Sequence, residues 1–493
     1  MKLGSRQILF FLAAVAPVGK LILLPPQLAA VAGNDLLFPV LAQLLVQAAL
    51  VFCVLLLSRR ERTVYALLED SIGGVGAKIV TWALALFLLY ASFMPLVEQK
   101  LLVQSIFYDT IPSYIVFAPF FLLAAYLCSR PLAYTGRIWD ILAPLAIFGM
   151  AGILLFSVGE ADYGALLPVG AAGLPGFSGG VMRTCAWFFD AALLLPLVGR
   201  FDYKKGLAWK GAVCYLAGGA VLLFFLATFY GVFADISVIQ VFAFAKMSHF
   251  FAGLTVLGRI DYLFIFALAF VIVFYAALPV HGAVRLVTDG FSAGKWRPAL
   301  LSVGANGVLL ALLLLFNFFS NDFGLVDIQK TAIVLAVGID RDGEDFALTA
   351  QIAVPKGSER TTGGTSSVEI EGRGATVPDC ISDIYAKTGW VPKLVFCNLV
   401  LLGESAVQEN IFPCLDFFLR NEYIPNSCQL AACEGSAGEM LSTTSAIDDT
   451  SALALSKLFS DAAKKSGYVM TTTLREFAVG YYGVSGSGYM PYV

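Results

Sequence analysis

Charged residues and histidine are both scarce in this sequence. Only 14% of its 493 residues are Asp, Glu, Lys or Arg, and only His249 and His281 are histidines. With a mean hydropathy of +0.81, this excludes an ordinary soluble globular chain, in which roughly a quarter of residues are charged. Zinc-ligand spacings and Walker sequences are absent. The sequence therefore predicts neither an enzyme nor a metal or cofactor site.

Long apolar runs are what the sequence has in abundance. A helix needs about 20 apolar residues to cross the hydrocarbon core of a bilayer, and residues 1–320 contain nine such runs. The stretch 236–257 is interrupted by Lys246, Ser248 and His249, and we expect it to be interfacial or re-entrant. The chain is therefore predicted to be a polytopic α-helical membrane protein. The nine predicted spans are 7–30, 36–57, 79–105, 112–128, 138–157, 181–199, 209–232, 262–283 and 299–319.

Basic residues alternate between loops, which predicts an orientation. Lys and Arg are retained on the cytoplasmic side of membrane spans. The N-terminus carries Lys2 and Arg6, and every second loop after it is basic, whereas the loops between hold mainly acidic residues such as Asp35 and Glu160. We therefore expect a cytoplasmic N-terminus and, after nine spans, an extracytoplasmic C-terminal domain.

That second domain, residues 321–493, has a different composition. It carries 12 Lys and Arg against 21 Asp and Glu, whereas residues 1–320 carry 20 against 14. Alternating β-branched runs and helical periodicity predict a small α/β (α+β) domain. Its predicted elements are a hairpin of 331–339 and 346–352, a mobile loop at 358–367, a helix at 376–388, a strand at 394–402, helices across 404–420 and a strand at 428–433.

Two membrane spans combine charge with features that favour a binding site. Proline and glycine at 17–20 and prolines at 25–26 weaken the helix of the first span near its middle. Broken spans hold small ligands near the midplane of transporters. In the sixth span, an acidic residue follows three aromatics at 187–190. The candidate ligand-binding residues are Pro17, Val18, Gly19, Lys20, Glu98, Trp187, Phe188, Phe189 and Asp190.

Charges inside a membrane are costly and usually face a cavity, water or each other. Lys20 and Asp190 are therefore expected to line a ligand cavity, to form a structural pair, or to have one member at the interface. Glu98 and Lys100 are expected at the interface, with direct ligand contact by Glu98 as the alternative. His281 is expected to anchor the end of its helix.

Ordered motifs carry a family resemblance. Residues 327–340, 348–352, 415–421 and 430–435 resemble the C subunit of spore-germination receptors, the GerAC type. Residues 1–320 resemble the B subunit, the GerAB type, of the amino acid/polyamine/organocation superfamily with a LeuT-like fold. The latter resemblance is carried by 5–7, 17–20, 24–25, 98, 110–112, 188–190, 195–196 and 259–261.

The resemblance implies a fused B and C subunit of a nutrient germinant receptor in the spore inner membrane. It would sense a small molecule, expected to be an amino acid, with Gly19 and Lys20 contacting a carboxylate and Asp190 an amino group. An A-type receptor subunit and further C-type domains are the implied partners. B subunits have ten spans and C subunits a lipid tether, so the ninth span is expected to replace that tether. A secondary transporter of amino acids or organic cations, or a structural membrane anchor, stays an alternative.

Overall fold

The computed structural model divides into two compact units, Met1–Leu325 and Val326–Val493. The residues it describes are 3–106, 113–248, 261–290, 297–319, 331–353, 367–408, 410–421, 424–425, 427–443, 448, 450–459, 467, 469–483 and 486–493.

The regular secondary-structure elements described in the first unit are helices, because a backbone in hydrocarbon must satisfy its polar groups within its own segment. Apolar side chains cover most positions of these helices. The helices are α1 (Ser5–Phe10), α2 (Ala16–Val18), α3 (Leu24–Ala32), α4 (Leu37–Leu57), α5 (Val64–Ile106), α6 (Ser113–Ser129), α7 (Leu132–Ser157), α8 (Gly173–Thr184), α9 (Asp190–Leu194), α10 (Leu207–Phe233), α11 (Ala243–Ser248), α12 (Asp261–Gly290) and α13 (Arg297–Phe319).

Five helices among the described residues are long and apolar enough to cross a membrane. Shorter apolar helices, at Ser5–Val18, Phe117–Ser129 and Leu300–Leu315, accompany them. The unit is therefore an integral membrane region, and the count of nine spans stays a prediction. The five long segments are Leu37–Arg60, Val64–Val103, Leu132–Glu160, Leu207–Ile239 and Leu263–Gly290.

The first span is interrupted, as its proline and glycine content predicts. α1 continues through a π-helical segment, Phe11–Val15, into α2, which ends at Val18. Helical structure resumes only at Leu24. Prolines lie on both sides of the gap and lack the N–H that a continuous helix would use. The predicted broken helix is confirmed.

The sixth predicted span is not one continuous helix. α8 ends at Thr184 and α9 begins at Asp190, with non-helical backbone at Phe188 and Phe189 between them. The doubtful stretch 236–257 begins as a 3-10 segment (Ala234–Ile239) followed by α11, while residues 249–260 lie outside the described part. The first and the sixth predicted spans are therefore both interrupted within the described residues.

The second unit contains a mixed sheet of six described strands with order β3-β2-β1-β5-β6, and β4 pairs with the start of β1. The first hairpin is antiparallel, as are β2 and β3, whereas β5 is parallel to both β1 and β6. The strands are β1 (Thr331–Asp342), β2 (Asp345–Ala353), β3 (Ser367–Gly374), β4 (Val391–Lys393), β5 (Leu399–Leu402) and β6 (Gln429–Ala432). The helices are α14 (Val377–Thr388), α15 (Glu404–Val407), α16 (Phe412–Arg420), α17 (Ala437–Ser442), α18 (Ser451–Leu458) and α19 (Leu474–Tyr482).

This α/β architecture confirms the predicted hairpin, the helix at 376–388 and the last strand. The single strand predicted over 394–402 is wrong, because Leu394–Phe396 form a 3-10 turn between β4 and β5. The two short strands pair with different parts of β1. The loop predicted at 358–367 lies outside the described residues except for Ser367, which begins β3.

Candidate functional site

Lys20 and Asp190 form an ion pair between the two interrupted helices. The Lys20 Nζ lies 2.9 Å from Oδ2 of Asp190, and the two side chains are 1% and 0% exposed. Lys20 belongs to the non-helical segment after α2, and Asp190 is the first residue of α9. Lys20 also donates to the carbonyl oxygen of Ala16 at 2.8 Å. The structural pair of Lys20 and Asp190, one of the alternatives left open by the sequence, is therefore present, and it lies where the two helices are interrupted.

Two tyrosines complete the coordination of the Asp190 carboxylate. Tyr215 of α10 donates its hydroxyl to Oδ2 at 2.7 Å, and Tyr275 of α12 donates to Oδ1 at 2.8 Å. Both tyrosines are buried. A buried charge is stable only when it is paired and hydrogen-bonded. Asp190 thus joins the first span, α9, α10 and α12 through a single carboxylate.

Aromatic rings enclose the ammonium group of Lys20. Its Nζ lies 5.0 Å from the centre of the Phe188 ring and 5.6 Å from that of Tyr275. The ring of Phe189 lies 5.9 Å from that of Tyr275. A cation beside an aromatic face is attracted by the ring quadrupole. The arrangement would suit the ammonium group of a small ligand equally well.

Glu98 provides a second carboxylate in the same region. It is 1% exposed, accepts a hydrogen bond from the indole N–H of Trp187 at 2.7 Å and accepts another from the backbone N–H of Leu23. It therefore links the non-helical backbone of the first span to a side chain of the sixth. Lys100, also 1% exposed, is likewise buried in the protein. The interfacial position expected for Glu98 and Lys100 stays a prediction.

The remaining predicted residues surround this network. Pro17 and Val18 are buried at the end of α2, beside Gly19 at the interruption. His281 is buried within α12 and accepts a hydrogen bond from Arg285 at 3.2 Å, so it lies inside the helix rather than at its end. All nine candidate residues are buried, and the ion pair, the rings and Glu98 link most of them.

Sequence reasoning missed three residues of the network: Gln47, Tyr215 and Tyr275. The Gln47 amide donates to the carbonyl oxygen of Phe188 at 2.8 Å and accepts from the backbone N–H of Ala191 at 3.3 Å. It thereby satisfies backbone groups that the interruption leaves unpaired. A glutamine within an apolar helix was the available signal, whereas tyrosines among many aromatics gave none.

A polar groove of about 890 Å³ lies in the second unit. Its side chains are largely engaged with one another. Asp340 accepts hydrogen bonds from Ser436 and from the backbone of α17, and Arg373 pairs with Asp342 and Glu371. We therefore place the candidate site at the interruptions of the membrane unit.

A helical membrane unit with interrupted helices around buried charges is typical of permeases and related membrane receptors. Residues 3–320 match the model of the spore permease family, described as spore germination protein. Residues 325–493 match the model described as spore germination protein N-terminal domain, of the GerAC type. The first match covers more than half of the chain, which therefore belongs to the spore germination permease family. No curated protein matches the chain.

The chain is thus a fusion of a GerAB-type and a GerAC-type domain, with a germinant receptor-type role in the membrane. These families are receptors and permeases rather than enzymes. A small-molecule germinant and other receptor subunits are the general partners of such a protein.

Proposed function

We propose that the membrane unit binds a nutrient amino acid between its two interrupted helices and that binding is sensed as a germination signal. The observation that carries this proposal is the buried Lys20–Asp190 pair, which places one cation and one anion 2.9 Å apart where both helices are broken. An amino acid presents the complementary pair of charges on adjacent carbons.

The residues divide into roles by their chemistry. Lys20 and the backbone around Gly19 contact the ligand carboxylate, because they supply positive charge and N–H donors. Asp190 receives the ligand ammonium, with the Phe188 ring beside it. Trp187 and Phe189 border the ligand side chain, and Glu98 ties the first span to the sixth through Trp187. Pro17 and Val18 keep the backbone open at this point.

The wider assembly follows from the same proposal. We propose a LeuT-like bundle over residues 1–320, a cytoplasmic N-terminus, and an extracytoplasmic domain over residues 321–493. A ligand shifts the bundle only by binding one conformation better than another. The outer domain, an A-type subunit and further C-type domains would relay that shift.

Equilibrium binding tests the proposal directly. The full chain in lipid nanodiscs is titrated with each proteinogenic amino acid, and saturable binding of at least one is expected. Asp190→Asn should abolish that binding. Asp140→Asn removes a carboxylate that pairs with Arg6 near the surface of the same unit, and should leave binding unchanged. Absence of saturable binding with every amino acid would refute the proposal.

A secondary transporter is the second candidate, because interrupted helices are the ligand-binding elements of transporters. Both functions require binding, but only transport requires flux. Reconstituted vesicles separate them: accumulation of the bound amino acid indicates transport, and binding without accumulation indicates sensing. A structural anchor would instead be indicated if substitutions of Lys20 and Asp190 changed only the protein level.

A further inference from the structure

The candidate site is occupied by the protein's own charged groups. Lys20 contacts the Asp190 carboxylate where a ligand ammonium would be expected, and Asp190 contacts the Lys20 ammonium where a ligand carboxylate would be expected. The two charges satisfy each other at hydrogen-bond distance. A ligand can reach either of them only by separating the pair.

Tyr275 closes the same position from α12. A Cβ atom built on Gly19 would lie 2.5 Å from Cε1 of the Tyr275 ring, so the ring packs directly against the interruption of the first span. Its hydroxyl holds Asp190 of the sixth span. Tyr275 thus bridges both interrupted helices at the position of the ion pair.

We propose that the Lys20–Asp190 pair is a latch, held by Tyr215 and Tyr275, which a zwitterionic amino acid opens by inserting between the two charges. This inference rests on the proposed function. The ligand carboxylate replaces Asp190 beside Lys20, and the ligand ammonium replaces Lys20 beside Asp190. Insertion widens the contact between the first and sixth spans and releases Tyr275 from Gly19.

Charge balance selects the ligand class. The pair is neutral as a whole, and a zwitterion adds no net charge when it inserts, so both buried groups keep a partner. An organic cation would pair with Asp190 and leave Lys20 without its carboxylate, and a simple carboxylate would do the reverse. An uncompensated buried charge is strongly unfavourable. The site should therefore reject either half of an amino acid alone.

Hydrogen exchange of the full chain in nanodiscs tests the latch without any ligand. Tyr275→Phe removes the hydroxyl that holds Asp190 and keeps the ring. We expect the backbone amides of residues 19–23 to exchange faster, by up to about tenfold, since a minor alternative conformation becomes more populated. Tyr215→Phe should act in the same direction.

Tyr230→Phe is the matched control, because Tyr230 donates to Asp235 in the same unit but lies outside the latch. It should leave the exchange of residues 19–23 unchanged. Asp190→Asn provides a second variant that retains the shape of the side chain, and it should also speed exchange. Unchanged exchange in Tyr275→Phe, Tyr215→Phe and Asp190→Asn would overturn the latch, even if amino acids bind.

Ligand analogues test the charge argument. For an amino acid that binds, the matching amine without the carboxylate and the matching carboxylic acid without the ammonium are titrated alongside it. Binding of the amino acid alone supports insertion between the charges. Comparable binding of either analogue refutes insertion between the two charges but does not refute the proposal that the membrane unit binds an amino acid. If no amino acid binds, the proposed function and the proposed zwitterionic ligand are both refuted. Faster hydrogen exchange in the variants would still show that the Lys20–Asp190 pair acts as a latch without a ligand.

Discussion

Tyr275 packs its ring against Gly19 while its hydroxyl donates to Asp190, 2.8 Å away. One side chain therefore contacts the interruption of the first span and the start of α9. Tyrosine suits this position because its apolar ring fills space and its hydroxyl reaches a buried acceptor. The space beside Gly19 is thereby limited to a hydrogen atom.

Replacing Gly19 by alanine should strain this contact. The added Cβ would meet the Tyr275 ring well inside van der Waals distance, and overpacking of this kind costs about 1–3 kcal/mol. Thermal unfolding of the detergent-solubilised chain measures the loss. Gly159→Ala is the control, since a Cβ added at Gly159 would have no heavy atom within 4 Å, and it should change stability by less than about 0.5 kcal/mol. Equal effects of the two substitutions would contradict the close contact.

The effect on the free energy of unfolding of removing one charge of the Lys20–Asp190 pair should depend strongly on whether the other charge is present. Lys20→Met leaves Asp190 buried without a cation, which costs about 3–5 kcal/mol. The double variant Lys20→Met/Asp190→Asn should recover most of that loss, because neither charge remains. Unfolding measurements on both variants give the coupling. Arg6→Gln breaks the exposed pair with Asp140 and should cost about 1 kcal/mol or less. Additive effects of the two buried substitutions would argue against a direct pair.

Asp340 should stabilise the fold of the second unit. Its carboxylate accepts hydrogen bonds from the backbone N–H groups of Ala437 and Gly438 and from the Ser436 hydroxyl, at 2.8 to 3.0 Å. Removing the acceptor in Asp340→Ala should cost about 2–3 kcal/mol. Faster hydrogen exchange at the α17 amides would report it. Asp342→Ala, which breaks only an exposed pair with Arg373, should leave those amides protected.

Two thiols of the second unit should react slowly near neutral pH. Burial, with a smaller effect of Asp340, raises the pKa of Cys433 to about 11, and burial with Asp379 raises the pKa of Cys380 to about 11. At pH 8 only about one thiol in a thousand is then ionised, and the thiolate is the nucleophile. Alkylation followed by mass spectrometry should show slow modification of both cysteines, accelerating as the pH approaches 11.

The same pKa shifts give the pH dependence of stability a definite sign. The unfolded chain releases these protons near the ordinary thiol pKa of 9.0, whereas the folded domain retains them to about pH 11. The folded state binds more protons in this window, so the free energy of unfolding should fall as the pH rises through it. A constant free energy of unfolding across the window would contradict the raised pKa values.

The predicted orientation can be tested with one engineered cysteine. Ala386 lies on the exposed part of α14, and Ala386→Cys in a cysteine-free chain should be labelled by a membrane-impermeant thiol reagent on intact right-side-out protoplasts. Labelling would place the second unit outside the cell membrane. Protection until lysis, with labelling of the lysed sample as the control for exposure, would place the domain inside and refute the proposed topology.

The two interruptions differ in how far sequence could foresee them. The first was predictable, because proline and glycine weaken a helix through the local chain alone. The second has no proline or glycine between Thr184 and Asp190. Its backbone groups are satisfied by the side chain of Gln47, which comes from α4. The local sequence pattern around Phe188 could not predict this contact, because Gln47 is more than 140 residues away in the chain.

The candidate site shows the same division. Charged residues in apolar spans identified Lys20 and Asp190, because their burial demands a partner. Tyr215 and Tyr275 could not be selected, since aromatic residues are common throughout the spans. Only the packing of α10 and α12 brings their hydroxyls to one carboxylate.

The π-helical segment Phe11–Val15 gives the first span an unusual tolerance of length. A π turn accommodates one residue more than an α turn, and the helix on either side keeps its phase. Deleting one residue there would convert the segment to an ordinary α turn, with Gln7 and Lys20 still on their present faces. Elsewhere in an α-helix, the same deletion rotates everything beyond it by about 100°. Deletion of one residue in this turn would therefore leave the Lys20 ammonium in contact with Asp190.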